Sequence, residues 1–250
     1  MFPLKDNIPT ERFPVLTVGL IAANVLMFFF FQGWPGISDQ NVVEYGAIPY
    51  EITNPGEQCT APGGPPELAC GEGPGLASTW LTLLTSMFMH GGLLHIAGNM
   101  LFLWIFGNNV EDAMGRVKFI LFYLGGGLAA TLAQVLIDTE STVPSIGASG
   151  AVAAVLGAYA ILYPRARVVT LILIIVFITI IELPALLVLG LWFLIQLYYG
   201  SSELAQPVGG GGVAYWAHIG GFVFGLALVK LLARRGNPNY GSYNPRPGIY

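Results

Sequence analysis

The sequence predicts an all-α polytopic membrane protein, a compact six-helix bundle with a long outer first loop. Three observations carry this reading. Hydrophobic residues make up 54% of the 250 and charged residues only 10%, against about 25% charged in soluble domains, and mean hydropathy is +0.67. Six stretches are apolar over a spanning length of roughly 17–25 residues. The ten Lys and Arg residues also fall on one side of a six-span topology.

The first span is expected near residues 14–32, after Lys5 and Arg12. No small-x-small cleavage site follows it, so it reads as a signal anchor that stays in place. The polar loop up to residue 91 holds the two cysteines, Cys59 and Cys70. The second span, near 92–109, should start at about Leu93, because Gly91 and Gly92 break the chain just before it. The remaining spans are expected near 116–137, 147–163, 183–199 and 214–233. Residues 168–181, VVTLILIIVFITII, are too short for a full span and are expected on or partly in the membrane from the cytoplasmic side. Residues 1–13 are then a cytoplasmic N-terminus, 14–235 the membrane domain, and 236–250, rich in Gly, Pro and Asn, a disordered cytoplasmic tail.

Orientation follows from charge. With a cytoplasmic N-terminus, every Lys and Arg lies at a cytoplasmic end and the three outer loops carry none, the positive-inside pattern. A seventh span at 168–181 would break it. Cys59 and Cys70 lie on the outer side, where a disulfide can persist, and they are expected to be bridged. The net charge of −4 and the scattered basic residues argue against a nucleic-acid partner. With no Cys/His ligand cluster, no metal is expected, and no cofactor.

Three histidines occur in the chain, His90, His95 and His218, all within or beside apolar stretches, where ionisable groups are costly and functional by default. Ser149, in Gly-Ala-Ser-Gly, and His218 each lie a few residues inside the outer start of a helix. At ~1.5 Å rise per residue both fall within roughly 10 Å of the outer surface. A serine nucleophile needs such a base, and with no carboxylate at that depth the pair would be a dyad. His95 and Asn99, four apart, share a helix face and can donate to a developing oxyanion; Asn99 can equally tie two helices together. His90, before the glycine break, reads as structural. Gly147 with Ala151, Gly150 with Ala154, and Gly221 with Gly225 are small-xxx-small pairs that favour close helix contact.

These motifs, GASG, AHIGG and HGGLLHIAGN, resemble the bacterial rhomboids, intramembrane serine proteases, in order and in spacing from about Trp80 to Arg235. The resemblance implies a Ser149–His218 dyad cutting a transmembrane protein substrate near the outer face of the bilayer. The oxyanion hole would come from His95, Asn99 and the Ser149 backbone. His90, Gly147, Gly150 and Gly221 would support the site. It further implies a plasma-membrane location, a flexing helix at 183–199, and a cap in the loop carrying Gly209–Gly212. Glu111 and Arg116 resemble the family's structural turn after the second helix. One departure stands out: where family members carry Trp-Arg in the first loop, this chain has Trp80-Leu81-Thr82. The alternatives are a catalytically inactive rhomboid-like binder of membrane proteins, a transporter, and a purely structural bundle. A transporter would be expected to show an internal repeat, and none is found. A structural bundle leaves His95, Asn99 and His218 unexplained.

Overall fold

The computed structural model describes residues 2–35, 37–60, 69–72, 78–174, 177–205 and 213–233. Its helices are α1 (Val15–Phe31), α2 (Asp39–Tyr45), α3 (Pro49–Thr53), α4 (Thr79–Phe88), α5 (Leu93–Met114), α6 (Arg116–Ile137), α7 (Ser149–Leu162), α8 (Ala185–Ala205) and α9 (Tyr215–Leu232). Among the described residues, α5, α6, α8 and α9 are long and apolar enough to cross a membrane. The other two expected spans, α1 and α7, are shorter apolar helices. Leu121, Leu136, Leu194 and Leu231 are well exposed on the outer faces of these helices, as a lipid-facing surface requires. The chain is an integral membrane protein.

α7 is the axis of the fold. Every residue from Gly150 to Ala160 is buried, the mark of a helix enclosed on all sides. Its Gly and Ala residues let α6 and α9 approach closely. A Cβ on Gly221 would strike the Gly150 carbonyl, and one on Gly225 the Ala154 carbonyl. On the α6 side, a Cβ on Gly126 would lie 2.5 Å from the Cβ of Ala154.

α1 is tied to the turn after α5. Glu111 accepts from the backbone N–H groups of Leu16 (3.1 Å) and Thr17 (2.8 Å) and from Thr17 Oγ1 (2.8 Å). It thus satisfies donors that a helix start leaves unpaired. Gly115, at φ 79°, then reverses the chain into α6.

The structure departs from the all-helical expectation in three places. Residues 168–174 and 177–181 lie in two antiparallel strands, β4 (Arg167–Ile174) and β5 (Phe177–Pro184), the second of which takes residues 183–184 from the expected fifth span. The run Val168, Val169 and Thr170 suits a pleated strand, because branching at Cβ stiffens χ1. The N-terminal segment supplies a third strand, β1 (Phe2–Asp6), antiparallel to β4. In the first loop, β2 (Glu57–Thr60) and β3 (Ala69–Glu72) place Cys59 opposite Cys70, and the two are disulfide-bonded. The expected tail at 236–250 and the run Gly209–Gly212 lie outside the described residues.

β1 locks onto the end of α7 remote from Ser149. Buried Asp6 accepts from Tyr159 Oη at 2.6 Å and from Asn109 Nδ2 at 2.7 Å. Burial pushes its carboxyl up from 3.8 to about 6, partly offset by the Tyr159 hydrogen bond. The folded state therefore holds this proton more tightly than the unfolded chain does. The stability linked to it is complete below pH 3.8 and is lost as pH rises through about 6. Asp6→Asn should flatten the pH dependence of the thermal midpoint in detergent between about 4 and 6, removing a term on the order of 3 kcal/mol. In the first loop, a thiol reagent should label Cys59 and Cys70 only after reduction; labelling without reductant would show that the bridge is absent in solution.

Candidate active site

Three helix N-termini converge. His95 is the third residue of α5, Ser149 the first of α7 and His218 the fourth of α9. All three line one cavity of about 1120 Å3, together with Gly147, Gly150, Tyr215 and the 143–146 loop. α7 has no side-chain cap at its start, so the first-turn N–H groups at Ser149 and Gly150 lack the i−4 partner of a continuing helix. The positive end of the α7 dipole lies beside the Ser149 hydroxyl.

The chain arrives at Ser149 along a fixed path. Ala47 and Ser145 exchange backbone hydrogen bonds of 3.0 and 2.8 Å, and Gly147 N–H donates to Ser86 O at 2.8 Å. Gly147 has φ +123°, a region side chains rarely adopt. A Cβ there would lie 2.8 Å from His95 Nε2 and 3.5 Å from Ser149 Oγ. Gly147 therefore leaves open the space between an imidazole nitrogen and the serine hydroxyl. It belongs to the turn before α7, not to the helix packing expected from its spacing to Ala151. Gly221, by contrast, lies against the Gly150 carbonyl and sets the separation of α7 and α9, on which Ser149 and His218 sit, while Gly150 itself makes room for Ala130 of α6.

The histidines differ in their partners. His95 Nδ1 accepts a long hydrogen bond, 3.4 Å, from Gly91 N–H. This leaves its proton on Nε2, the nitrogen that faces Gly147. His218 Nδ1 lies 2.8 Å from Gln196 Oε1 on α8. His90 is fully buried, with its ring edge-on to His95 at 5.1 Å. Gln32 clamps its backbone by receiving the His90 N–H and donating to the His90 carbonyl, both at 2.9 Å. Burial first, and then the neighbouring His95, push the His90 imidazole down to about 3, so the ring is neutral. Asn99 lies one turn beyond His95, buried, with no hydrogen-bond partner for its Nδ2 among the described residues.

The match to known proteins follows the same stretch of chain. Residues 77–235 match the Rhomboid domain family. The chain belongs to the rhomboid family. It is 32% identical over 146 residues to the Rhomboid protease GluP of Bacillus subtilis, covering 58% of this chain and 24% of that protein. It is 31% identical over 164 residues to the RHOMBOID-like protein 5 of Arabidopsis thaliana (66% and 47%). It is 31% identical over 152 residues to the mitochondrial Rhomboid protein 1 of Saccharomyces cerevisiae (58% and 40%). The chain thus spans between a quarter and a half of the length of these relatives.

Sequence reasoning missed the three amides that hold the site: Gln32, Gln196, and Gln134, whose Oε1 accepts from Ala217 N–H at 3.2 Å near the start of α9. The available signal was a lone Gln inside an apolar run, such as FLIQL around Gln196. Where relatives were expected to carry Arg, Thr82 is buried and donates to Thr79 O at 2.6 Å, while Trp80 is exposed. Gly221→Ala should cost about 1–3 kcal/mol by overpacking the α7–α9 contact. Thermal unfolding in detergent measures this, and an unchanged midpoint would show that the two helices have room to separate.

Proposed function

We propose that this rhomboid is an intramembrane serine endopeptidase that hydrolyses a peptide bond of transmembrane protein substrates. The observation that carries this reading is the single cavity lined by Ser149, His218 and His95. Membership of the rhomboid family and the likeness to the Rhomboid protease GluP support it.

In this reading Ser149 Oγ attacks the substrate carbonyl carbon while His218 Nε2 takes its proton. The carbonyl oxygen becomes an oxyanion held by the Ser149 N–H, His95 Nε2–H and Asn99 Nδ2. One such donor contributes about 3–4 kcal/mol to the transition state, and the unpaired Nδ2 of Asn99 suits this task. His218 passes the proton to the departing amine as the C–N bond breaks, leaving an ester on Ser149. Water then adds to the ester carbonyl, His218 accepting its proton, and collapse releases the new carboxyl end and restores Ser149. Asn99 is buried one turn beyond His95 and does not line the cavity, so its part in the hole requires its amide to turn toward the oxygen.

The positive-inside distribution supports a site at the outer end of the bundle and cytoplasmic termini. A bacterial inner membrane fits this arrangement, with the Cys59–Cys70 bridge in an oxidising compartment. The partners are then the bilayer and transmembrane protein substrates, without cofactor or metal.

Cleavage of a single-span reporter by the purified chain in detergent tests the proposal. Wild type should cut within the reporter's span, and Ser149→Ala and His218→Ala should each lose at least about 1000-fold. Equal cutting by either variant would remove that residue from the chemistry. A silent wild type whose Ser149 also resists a fluorophosphonate would leave a non-catalytic binder of membrane proteins.

A further inference from the structure

The geometry points to Gln196 as the residue that positions the catalytic base: from α8 it holds His218 in the tautomer with the proton on Nδ1, leaving Nε2 free to accept the serine proton. This rests on the reading of His218 as base. A neutral imidazole carries one proton, and the partner of one nitrogen decides where it sits. Here the partner is itself oriented. Gln196 Nε2 donates to Trp192 O, one turn back on the same helix, at 3.1 Å, so its oxygen is the atom turned to His218 Nδ1 at 2.8 Å. That oxygen can only accept, so Nδ1 must donate. Both residues are buried, which shields this hydrogen bond from exchange with water. The Trp192 ring also packs on the imidazole, with centroids 5.7 Å apart. Two residues of α8 spaced i, i+4 therefore hold one ring.

This assignment makes α8 part of the chemistry. Among the four long spans it is the least enclosed, 22% buried against 33–50% for the others. None of its described residues lines the site cavity; it reaches the site through its contact with His218. The base is in the productive tautomer only while α8 is docked. An amide orients the imidazole but adds no negative charge, so it directs the proton without favouring the imidazolium.

The test uses the whole chain in detergent micelles with 15N-labelled histidine. Only three imidazoles contribute, and His218→Ala identifies the one in question. Wild type should show His218 protonated on Nδ1 and bare at Nε2. Gln196→Leu should give a mixture of tautomers and lower reporter kcat about ten- to a hundredfold at unchanged KM, short of the ~10⁴ loss seen when a triad histidine is held in the wrong tautomer. Gln196→Glu keeps an acceptor; it should restore kcat and move the acid limb of the pH profile upward, because a carboxylate favours the charged ring. A Gln196→Leu protein that keeps the Nδ1–H tautomer overturns the proposal. So does a Gln196→Glu acid limb that coincides with wild type, which decides the matter even where the Leu variant fails to fold. The spectrum needs no turnover, so a chain that cuts nothing counts against the protease reading while the tautomer still decides the role of Gln196.

Discussion

The contact of α7 with α9, made with almost no side chain between the two backbones, is the constraint on which the rest of the structure depends. Glycines at 157, 221 and 225 remove the atoms that would hold the helices apart. In a bilayer such a contact gains little from the hydrophobic effect, because lipid tails are as apolar as leucine. It rests instead on close packing of many atoms. With the separation of these helices set, a short serine at the start of one and an imidazole on the first turn of the other share a cavity without long side chains to bridge them. α6 and the 143–147 loop then close around a pair already placed.

The second organising force is the cost of leaving a polar group unpaired where water is scarce. The three histidines each meet an uncharged partner: Gln32 on the His90 backbone, the Gly91 N–H on His95 and Gln196 on His218. These contacts give the two imidazoles opposite characters. His95 is left with a donor facing the serine, and His218 with an acceptor. In the proposed chemistry one residue type thus supplies both an electrophilic and a basic group, without a buried charge.

Much of this was legible in sequence, for physical reasons. A bilayer demands long apolar helices, so their positions could be read to within a few residues; Leu93, Arg116 and Tyr215 begin helices close to where composition and glycine breaks place them. The polar residues of the site were legible because each is an exception in an apolar run. What escaped was set by pairing across distance. The strand pair at 167–174 and 177–184 has the apolarity of a membrane segment, and only its register with β1 reveals it as sheet. Gly147 carried the spacing of a packing motif but serves a turn, which depends on φ and not on spacing. Gln196 stands out as a lone amide in an apolar run, but its role lies in the neighbour it faces, which no sequence pattern specifies.

The small-residue contact also shapes how the protein can change over generations. An interface with no side chains to trade offers mutation few gradual steps: almost any substitution at Gly221 or Gly225 adds bulk against backbone that has nowhere to go. The chain at Gly92, beside the cavity mouth, is under no such restriction, since it has open space around it. Substitution can accumulate there while the separation of α7 and α9 stays put. The architecture divides the chain into a part that diversifies and a part that is effectively frozen.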